Sequence, residues 1–318
     1  MKALLIINPI SGKTKRKLPP VFQWTFKKLA KNIAEIPQAR TTVKEIMREV
    51  RARCRKDNVH LDIRFTKYAG HATKLASAAK NKYGRIISAG GDGTVNEIVN
   101  GMVNSKATLV IIPFGSTNVL AMDLGLTFDV KKAAALITHG KKIKMDLGYA
   151  ETKEGGRYFA MMLGIGFVPS LIKRVGKKFK KFFGKFAYPI MGIRNLFLYK
   201  WYRIFVKHKT TSWGYFVLVA NIRNYGGEYE IADKASKTDG LLDLVVINRS
   251  KWWDVVKFLF QVFGGKTNTF LRGEYFQIKN AEIYSRHKMY IQADGELIGT
   301  APVKVKVVPQ ALNIMVNK

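Results

Sequence analysis

The sequence predicts an α/β chain of two domains: an N-terminal α/β domain with a parallel sheet over residues 1–145, then a mainly antiparallel β domain over 146–318. Three observations carry this reading. Short apolar, β-branched runs alternate with helical patterns as far as about residue 140, strand-like runs separated by turn residues dominate after Asp146, and the early strands end in loops of small and polar residues. Strands alternating with helices form parallel sheets, and ligands bind beyond the carboxyl ends of such strands.

Taken in order, Ala3 to Ile7 reads as the first strand and opens into the loop Asn8-Pro9-Ile10-Ser11-Gly12-Lys13. From about Val21 to Arg55 the pattern is that of one or two basic amphipathic helices broken near Pro37. His60 to Phe65 is a second strand, ending at Thr66, and Tyr68-Ala69-Gly70-His71-Ala72 leads into a helix through about Lys80. Arg85 to Ala89 is a third strand. Ala107 to Ile112 is a fourth, stopped by Pro113 and followed by Gly115-Ser116-Thr117-Asn118 and another helix start. Beyond Lys141-Lys142-Ile143-Lys144-Met145-Asp146 the strand candidates are Tyr215–Asn221, Leu241–Asn248, Tyr275–Ser285, Met289–Ala293 and Val303–Val308. Gly140 and the loop at Glu154-Gly155-Gly156 mark the edge of the second domain.

The chain is organised around Gly90-Gly91-Asp92-Gly93-Thr94-Val95-Asn96-Glu97, which lies between the third strand and a helix through Gly101. Glycines at such a turn let the backbone approach a ligand, while the first N–H groups of the helix have no intrahelical partner. That is an anion site, most often for phosphate. An acidic residue inside it would repel phosphate unless a cation lay between them, so Asp92 points to magnesium bound with a nucleotide. Lys13, beside Gly12, is a candidate phosphate-contacting ammonium.

Composition bounds the rest. With 318 residues and 47% hydrophobic content, the chain can build two ordinary cores. No apolar run reaches the roughly 18 residues needed to cross a bilayer, and Asn8-Pro9 interrupts the opening strand too early for a signal peptide. The single cysteine, Cys54, excludes a disulfide framework within the chain and a cysteine metal cluster, which fits a cytoplasmic location. A net charge of +33 requires a polyanionic partner. Between Glu154 and Glu228 there is no Asp or Glu, while basic residues recur from Lys173 to Lys209.

Several stretches together resemble the diacylglycerol kinase catalytic family, which includes bacterial lipid kinases and the sphingosine and ceramide kinases. They are Asn8-Pro9 with Ser11-Gly12, Gly90 to Gly101, Pro113 to Asn118, Met145-Asp146-Leu147-Gly148, Gly164-Ile165-Gly166-Phe167, Thr238 to Asp243, and Asp294-Gly295-Glu296. They stand in the family's order and span nearly the whole chain. The resemblance implies a nucleotide-binding α/β domain followed by a β-sandwich lipid-binding domain, the final strand returning to the first. It also implies transfer of the γ-phosphoryl group of ATP, with Mg2+, to a lipid hydroxyl. By that likeness Asn8, Ser11, Gly12, Thr66, Gly90, Gly91, Asp92, Gly93, Thr94, Asn96, Glu97, Ser116 and Asn118 contact the nucleotide. Asp92 and Asp146 form the acidic network that handles magnesium near the phosphates. A structural magnesium site maps to Ser236, Asp239 and the Leu241 carbonyl, and Glu296 maps to the general base. Where many bacterial members place an acidic residue after the loop asparagine, this chain has Val119, with Asp123 four residues on.

The chemistry of those roles stands without the likeness. Phosphoryl transfer depends on positioning and on neutralising charge over the γ-phosphate, so backbone N–H groups, a cation and a well-placed carboxylate suffice. Residues 173–209 interleave basic and aromatic side chains, as in Lys177-Lys178-Phe179-Lys180-Lys181-Phe182-Phe183, and suit a peripheral contact with an anionic membrane. The membrane is preferred to nucleic acid because the phosphate site already implies a lipid acceptor. Two other readings stay open: an NAD kinase-like enzyme with the same glycine-rich loop, and a non-catalytic regulator that binds anionic lipid or nucleic acid.

Overall fold

The computed structural model describes residues 1–11, 41–173, 199–225, 229–248 and 273–318. Strand β1 (Lys2–Ile7) lies between β2 (His60–Phe65) and β3 (Arg85–Gly90), parallel to both, and β4 (Thr108–Pro113) extends the sheet beside β3. β1, β3 and β4 are buried on both faces, which is why they read as continuous apolar runs. Helix α1 (Val43–Lys56) starts at a capping box between Thr42 and Glu45 and buries Ile46, Val50 and Cys54 at four-residue spacing. α2 (His71–Ala79), α3 (Asp92–Met102), the single turn α4 (Val119–Asp123) and α5 (Val130–His139) follow, and residues 167–173 are also helical.

The chain leaves β1 toward β2 and then turns back across β1 to β3 and β4. Right-handed crossovers put α1 on one face of the sheet and α2 and α3 on the other. α5 packs on α1, and α2 packs on α3. The reversal opens a crevice at the carboxyl ends of β1 and β3, where open α/β sheets bind their ligands. Asn8, Thr66, Gly90 and Gly91 all sit there.

Two long strands carry this sheet into the rest of the molecule. β5 (Lys141–Thr152) and β18 (Val303–Val316) pair antiparallel along almost their whole length, and β18 joins β4 through Ile314 and Leu109. Residue 146 therefore falls inside a strand, not at a linker, and Lys141 to Asp146 alternates as a strand should. Beyond β18 the sheet continues through β15 (Asn280–Tyr284), β8 (Ile204–Lys207) and β9 (Thr211–Gly214), with β6 (Gly155–Phe159) on β5.

A second, antiparallel sheet has the order β14 (Glu274–Ile278), β13 (Leu242–Ile247), β10 (Phe216–Ala220), β7 (Met162–Ile165), β16 (Tyr290–Ala293), β17 (Glu296–Thr300). Its Val217, Val219, Leu244 and Ile291 face Val206, Ile283 and Val305 of the first sheet in one core, a β-sandwich. Leu218, Ala220 and Val245 face the core of the α/β lobe instead, so the middle strands are covered on both sides. β11 (Asn224–Tyr225) and β12 (Tyr229–Glu230) form a small separate ribbon.

One expectation needs correction. Tyr275 to Ser285 is two strands, β14 and β15, which belong to different sheets. The buried positions Ile278 and Ala281 are three apart, so the period-two pattern slips by one residue at Lys279-Asn280, where the chain turns a corner of the sandwich.

Candidate active site

The two lobes meet at the N-terminus of α3. Gly91 is its N-cap and offers no side chain; its carbonyl accepts the Thr94 and Val95 N–H groups at 2.9 and 3.1 Å, leaving the Asp92 and Gly93 N–H groups ahead of the first helical bond. The loop after β4 presses on this turn. A Cβ built on Gly115 would lie 2.4 Å from the Gly91 Cα, so position 115 needs glycine for the two backbones to approach, and a Cβ on Gly91 would lie 3.2 Å from the Gly115 Cα. Asn118 holds the second loop in shape: at φ 52° its side chain accepts the Gly115 N–H (2.9 Å) and donates to the Gly115 carbonyl (2.8 Å). From the first strand, Asn8 donates to the Thr94 hydroxyl at 3.0 Å. Thr66 is tied to the same end by its N–H on the Ile7 carbonyl, and Ser11 by its N–H on the Asn8 carbonyl. Ser116 is exposed at the mouth.

Asp92 points into this junction. Burial raises its carboxyl to about 6, the nearby Asp294 adds to the rise, and the N–H groups of Leu120, Val119 and Asn118 work in the opposite sense. Val119 therefore takes part through its backbone while its side chain is buried in the core. Asp123 is committed elsewhere, to the Lys237 ammonium at 2.5 Å and the Arg223 N–H at 3.2 Å.

The second lobe contributes the β16–β17 turn. Asp294 is buried, in a left-handed turn conformation (φ 48°), and its carboxylate accepts the N–H groups of Ala160, Met161 and Met162 and the Asn96 amide, all within 2.7–2.9 Å. It fastens the hairpin to α3 and to the entry of β7. Glu296 follows one residue beyond the turn and reaches the first turn of α3: its Oε1 lies 3.4 Å from where a Gly93 Cβ would stand. Arg157, on β6, donates to Glu296 Oε2 at 2.7 Å and to the Asn96 side-chain oxygen at 2.6 Å. This guanidinium links the carboxylate of one lobe to the helix of the other. Nothing local in Gly156-Arg157-Tyr158 marks it, since its partners are 61 and 139 residues away.

Three predicted site residues turn out to face the protein instead. Asn96 is 1% exposed, its amide taken up by Asp294, Tyr158 and Arg157. Glu97 caps α2, accepting the Gly70 N–H at 2.7 Å and the Ala72 N–H at 3.0 Å. Asp146 is also 1% exposed; its two oxygens accept the Gln310 and Gly240 N–H groups, each at 2.7 Å. It secures the bulge in β18 to the turn before β13, and both oxygens are engaged away from solvent. In that turn Asp239 is exposed, with one oxygen on the Leu241 N–H at 3.0 Å, and Ser236 is half-buried. Gly12, Lys13 and most of the basic–aromatic stretch 173–209, namely 174–198, lie outside the described residues.

Comparison with known proteins gives this geometry a family. A model of the diacylglycerol kinase catalytic domain matches residues 37–150, and one of the YegS C-terminal NAD kinase beta sandwich-like domain matches residues 166–316. The chain belongs to the diacylglycerol kinase family. This family member is 29% identical over 244 residues to the diacylglycerol kinase of Bacillus subtilis, covering 74% of this chain and 79% of the relative. It is 25% identical over 298 residues to that of Staphylococcus carnosus, covering 92% and 96%. A crystal structure of a diacylglycerol kinase from Bacillus anthracis shares the fold at a TM-score of 0.66 and 21% identity, over 99% of this chain and 97% of that one. Membership places the chain among the lipid kinases, with the two-lobe architecture the sequence predicted.

The opening turn of α3 in this kinase-family site has the chemistry of a phosphate site. The Asp92 and Gly93 N–H groups stand ahead of the first helical bond beside two glycine loops in contact, which suits phosphate. Asp92 lies close enough to Asp294 for their charges to repel, while among the described residues no group of three ligating side chains is placed to hold a metal ion. Asp92 is the residue that would hold a magnesium ion.

Proposed function

We propose that this protein is an ATP-dependent lipid kinase that transfers the γ-phosphoryl group to the hydroxyl of a diacylglycerol-like lipid at a membrane surface. The observation that carries the reading is the Glu296 carboxylate, brought from the second lobe against Gly93 at the opening of α3. A phosphate bound on the α3 N–H groups and a lipid hydroxyl within reach of Glu296 would be neighbours, the geometry that in-line transfer needs. In this reading Glu296 accepts the hydroxyl proton as the oxygen attacks phosphorus, and Arg157 holds the carboxylate in place. The Gly91, Gly93 and Gly115 backbone binds phosphate, with Asn8, Thr66 and Ser116 around the nucleotide, and Asp92 holds Mg2+. When bound, the ion supplies neutralisation of the phosphate charge. Ser236, Asp239 and the Leu241 carbonyl remain the proposed second, structural magnesium position.

The test is transfer of labelled γ-phosphate from ATP and magnesium to mixed micelles of diacylglycerol, phosphatidylglycerol, sphingosine or monoacylglycerol. Labelling of diacylglycerol that disappears in Asp92→Ala and Glu296→Ala supports the proposal. Labelling of another lipid revises the acceptor, and no labelling of any lipid by a folded wild type overturns it.

A further inference from the structure

Three stretches distant in sequence close the end of the β-sandwich opposite the Asp294–Glu296 turn. They are residues 166–173 after β7, residues 199–215 leading into β8 and through β9, and residues 284–290 between β15 and β16. None contains an Asp or Glu. The Ser285 hydroxyl donates to the Arg203 carbonyl at 2.8 Å, the Tyr202 and His287 rings stack at 3.7 Å, and the Phe205 and Tyr284 rings at 5.5 Å. The three segments therefore form one surface.

Two properties set this surface apart. Trp213 and Tyr284 are 38% and 39% exposed, rings that a surface facing only water has no reason to present side by side with Phe205. The cations around them lie over aromatic faces: Arg203 over Trp213 at 4.6 Å, and Lys173 and Lys288 over Tyr290 at 4.9 and 5.9 Å. Arg286 is exposed on the same loop, and among the described residues none of these four cations has a salt-bridge partner. The bordering carboxylates are Glu282, two residues down the strand from Tyr284 and opposite Lys207 and Lys304, Glu274 at the sheet edge, and Glu154, which accepts the hydroxyl of Thr300, the cross-strand partner of Tyr290, at 3.2 Å. Rings at headgroup depth with lysine and arginine beside them, unpaired and in excess, are complementary to an anionic bilayer.

We propose that this end of the β-sandwich is the membrane-docking face, with Trp213 and Tyr284 entering the headgroup layer and Arg203, Arg286, Lys288 and Lys173 meeting anionic lipid. The inference rests on the lipid-kinase reading for its choice of a bilayer over other polyanions. It also suits that reading, because Tyr290 and Glu296 lie at opposite ends of the β16–β17 hairpin, three residue steps or about 10 Å apart. A lipid has to rise by less than half the ~30 Å hydrocarbon thickness to bring its hydroxyl to the carboxylate.

Flotation of the full chain with vesicles of phosphatidylcholine, alone or with phosphatidylglycerol, tests this. Each basic residue at an anionic surface contributes about fivefold in affinity, so Arg286→Gln with Lys288→Gln weakens binding to anionic vesicles roughly 30-fold. Lys131→Gln with Lys132→Gln removes the same charge from exposed positions on α5 and leaves binding within about twofold of wild type, apart from long-range screening. Trp213→Ser with Tyr284→Ser removes the binding that persists at raised salt; a thermal melt of each variant establishes that it is folded. Equal losses in the two lysine and arginine pairs overturn the proposal, as does unchanged vesicle binding in Arg286→Gln with Lys288→Gln. Wild type that ignores vesicles but binds a single-stranded oligonucleotide through the same residues overturns it in favour of nucleic acid. Transfer to a monomeric short-chain diacylglycerol is measured alongside. If wild type shows none while vesicle binding falls as stated, the kinase reading fails and the docking face stands.

Discussion

Replacing Asp92 with asparagine is expected to stabilise the protein while abolishing its activity. The carboxyl is moved from 3.8 to about 6, mainly because burial disfavours its charge and Asp294 adds repulsion. Such a shift means the folded state binds the proton more tightly than the unfolded state. The penalty is absent below about pH 4, grows as pH rises through the folded value, and is complete above about pH 7. Its size is about 3 kcal/mol at neutral pH. An asparagine oxygen can still face the N–H groups of Asn118, Val119 and Leu120, so most of that penalty is relieved in the variant. The assay is thermal unfolding of wild type and Asp92→Asn from about pH 4 to pH 8. The variant melts higher by roughly 5 °C at neutral pH, and the two curves converge in acid. Magnesium with a nucleotide narrows the gap by stabilising wild type, since a cation beside Asp92 removes the cause of the shift. A variant that melts lower at neutral pH, or a difference that does not shrink as pH falls, would refute the claim that Asp92 is a carboxylate held at a cost for a cation.

Other outcomes follow from the same contacts. Arg157→Gln removes the Arg157 bond to Glu296 and lowers kcat on the order of 10²-fold with KM for ATP little changed, read from steady-state kinetics. Asp146→Ala leaves the Gly240 and Gln310 N–H groups without their partner and costs about 2–4 kcal/mol in denaturant unfolding, while the magnesium dependence of whatever activity remains is unaltered. Gly101→Ala drives a Cβ to 2.4 Å from the Thr73 carbonyl oxygen and 2.8 Å from the Ala76 Cβ, so it destabilises the α2–α3 packing by about 1–3 kcal/mol, again seen in denaturant.

Much of the fold and part of the site could be read from residue order. β1, β3 and β4 are short apolar runs because both their faces are covered, and each ends in glycine, proline or asparagine because a parallel strand must turn into a loop there. Those local signals locate the crevice and the loops at Asn8, Gly90 to Thr94 and Gly115 to Asn118, while Thr66 is implied only by the likeness to the kinase family. The ordered motifs likewise carry the lipid-kinase family, and Val119 stands where a local substitution could be noticed. The strand alternation in Lys141 to Asp146 was also present, but a charged, half-exposed strand next to a motif aspartate is easily taken for a boundary.

What an acidic residue does was a different matter. Asp92, Asp146, Asp294 and Glu296 are equally prominent in the sequence, yet Asp92 opens α3 and Glu296 lies beside Gly93. Asp146 and Asp294 are buried anchors whose oxygens accept backbone N–H groups from segments more than 90 residues away. The pairing of Glu296 with Arg157, the gathering of residues 166–173, 199–215 and 284–290 at one end, and the passage of β18 from the sandwich back to β4 have the same character. Periodicity and turn chemistry are written in neighbouring residues, because helix and strand geometry repeat over a few positions. The partner of a buried carboxylate is set by packing between lobes, where the cost of leaving a charge or an N–H group unpaired selects one arrangement, and no short stretch of sequence contains both partners.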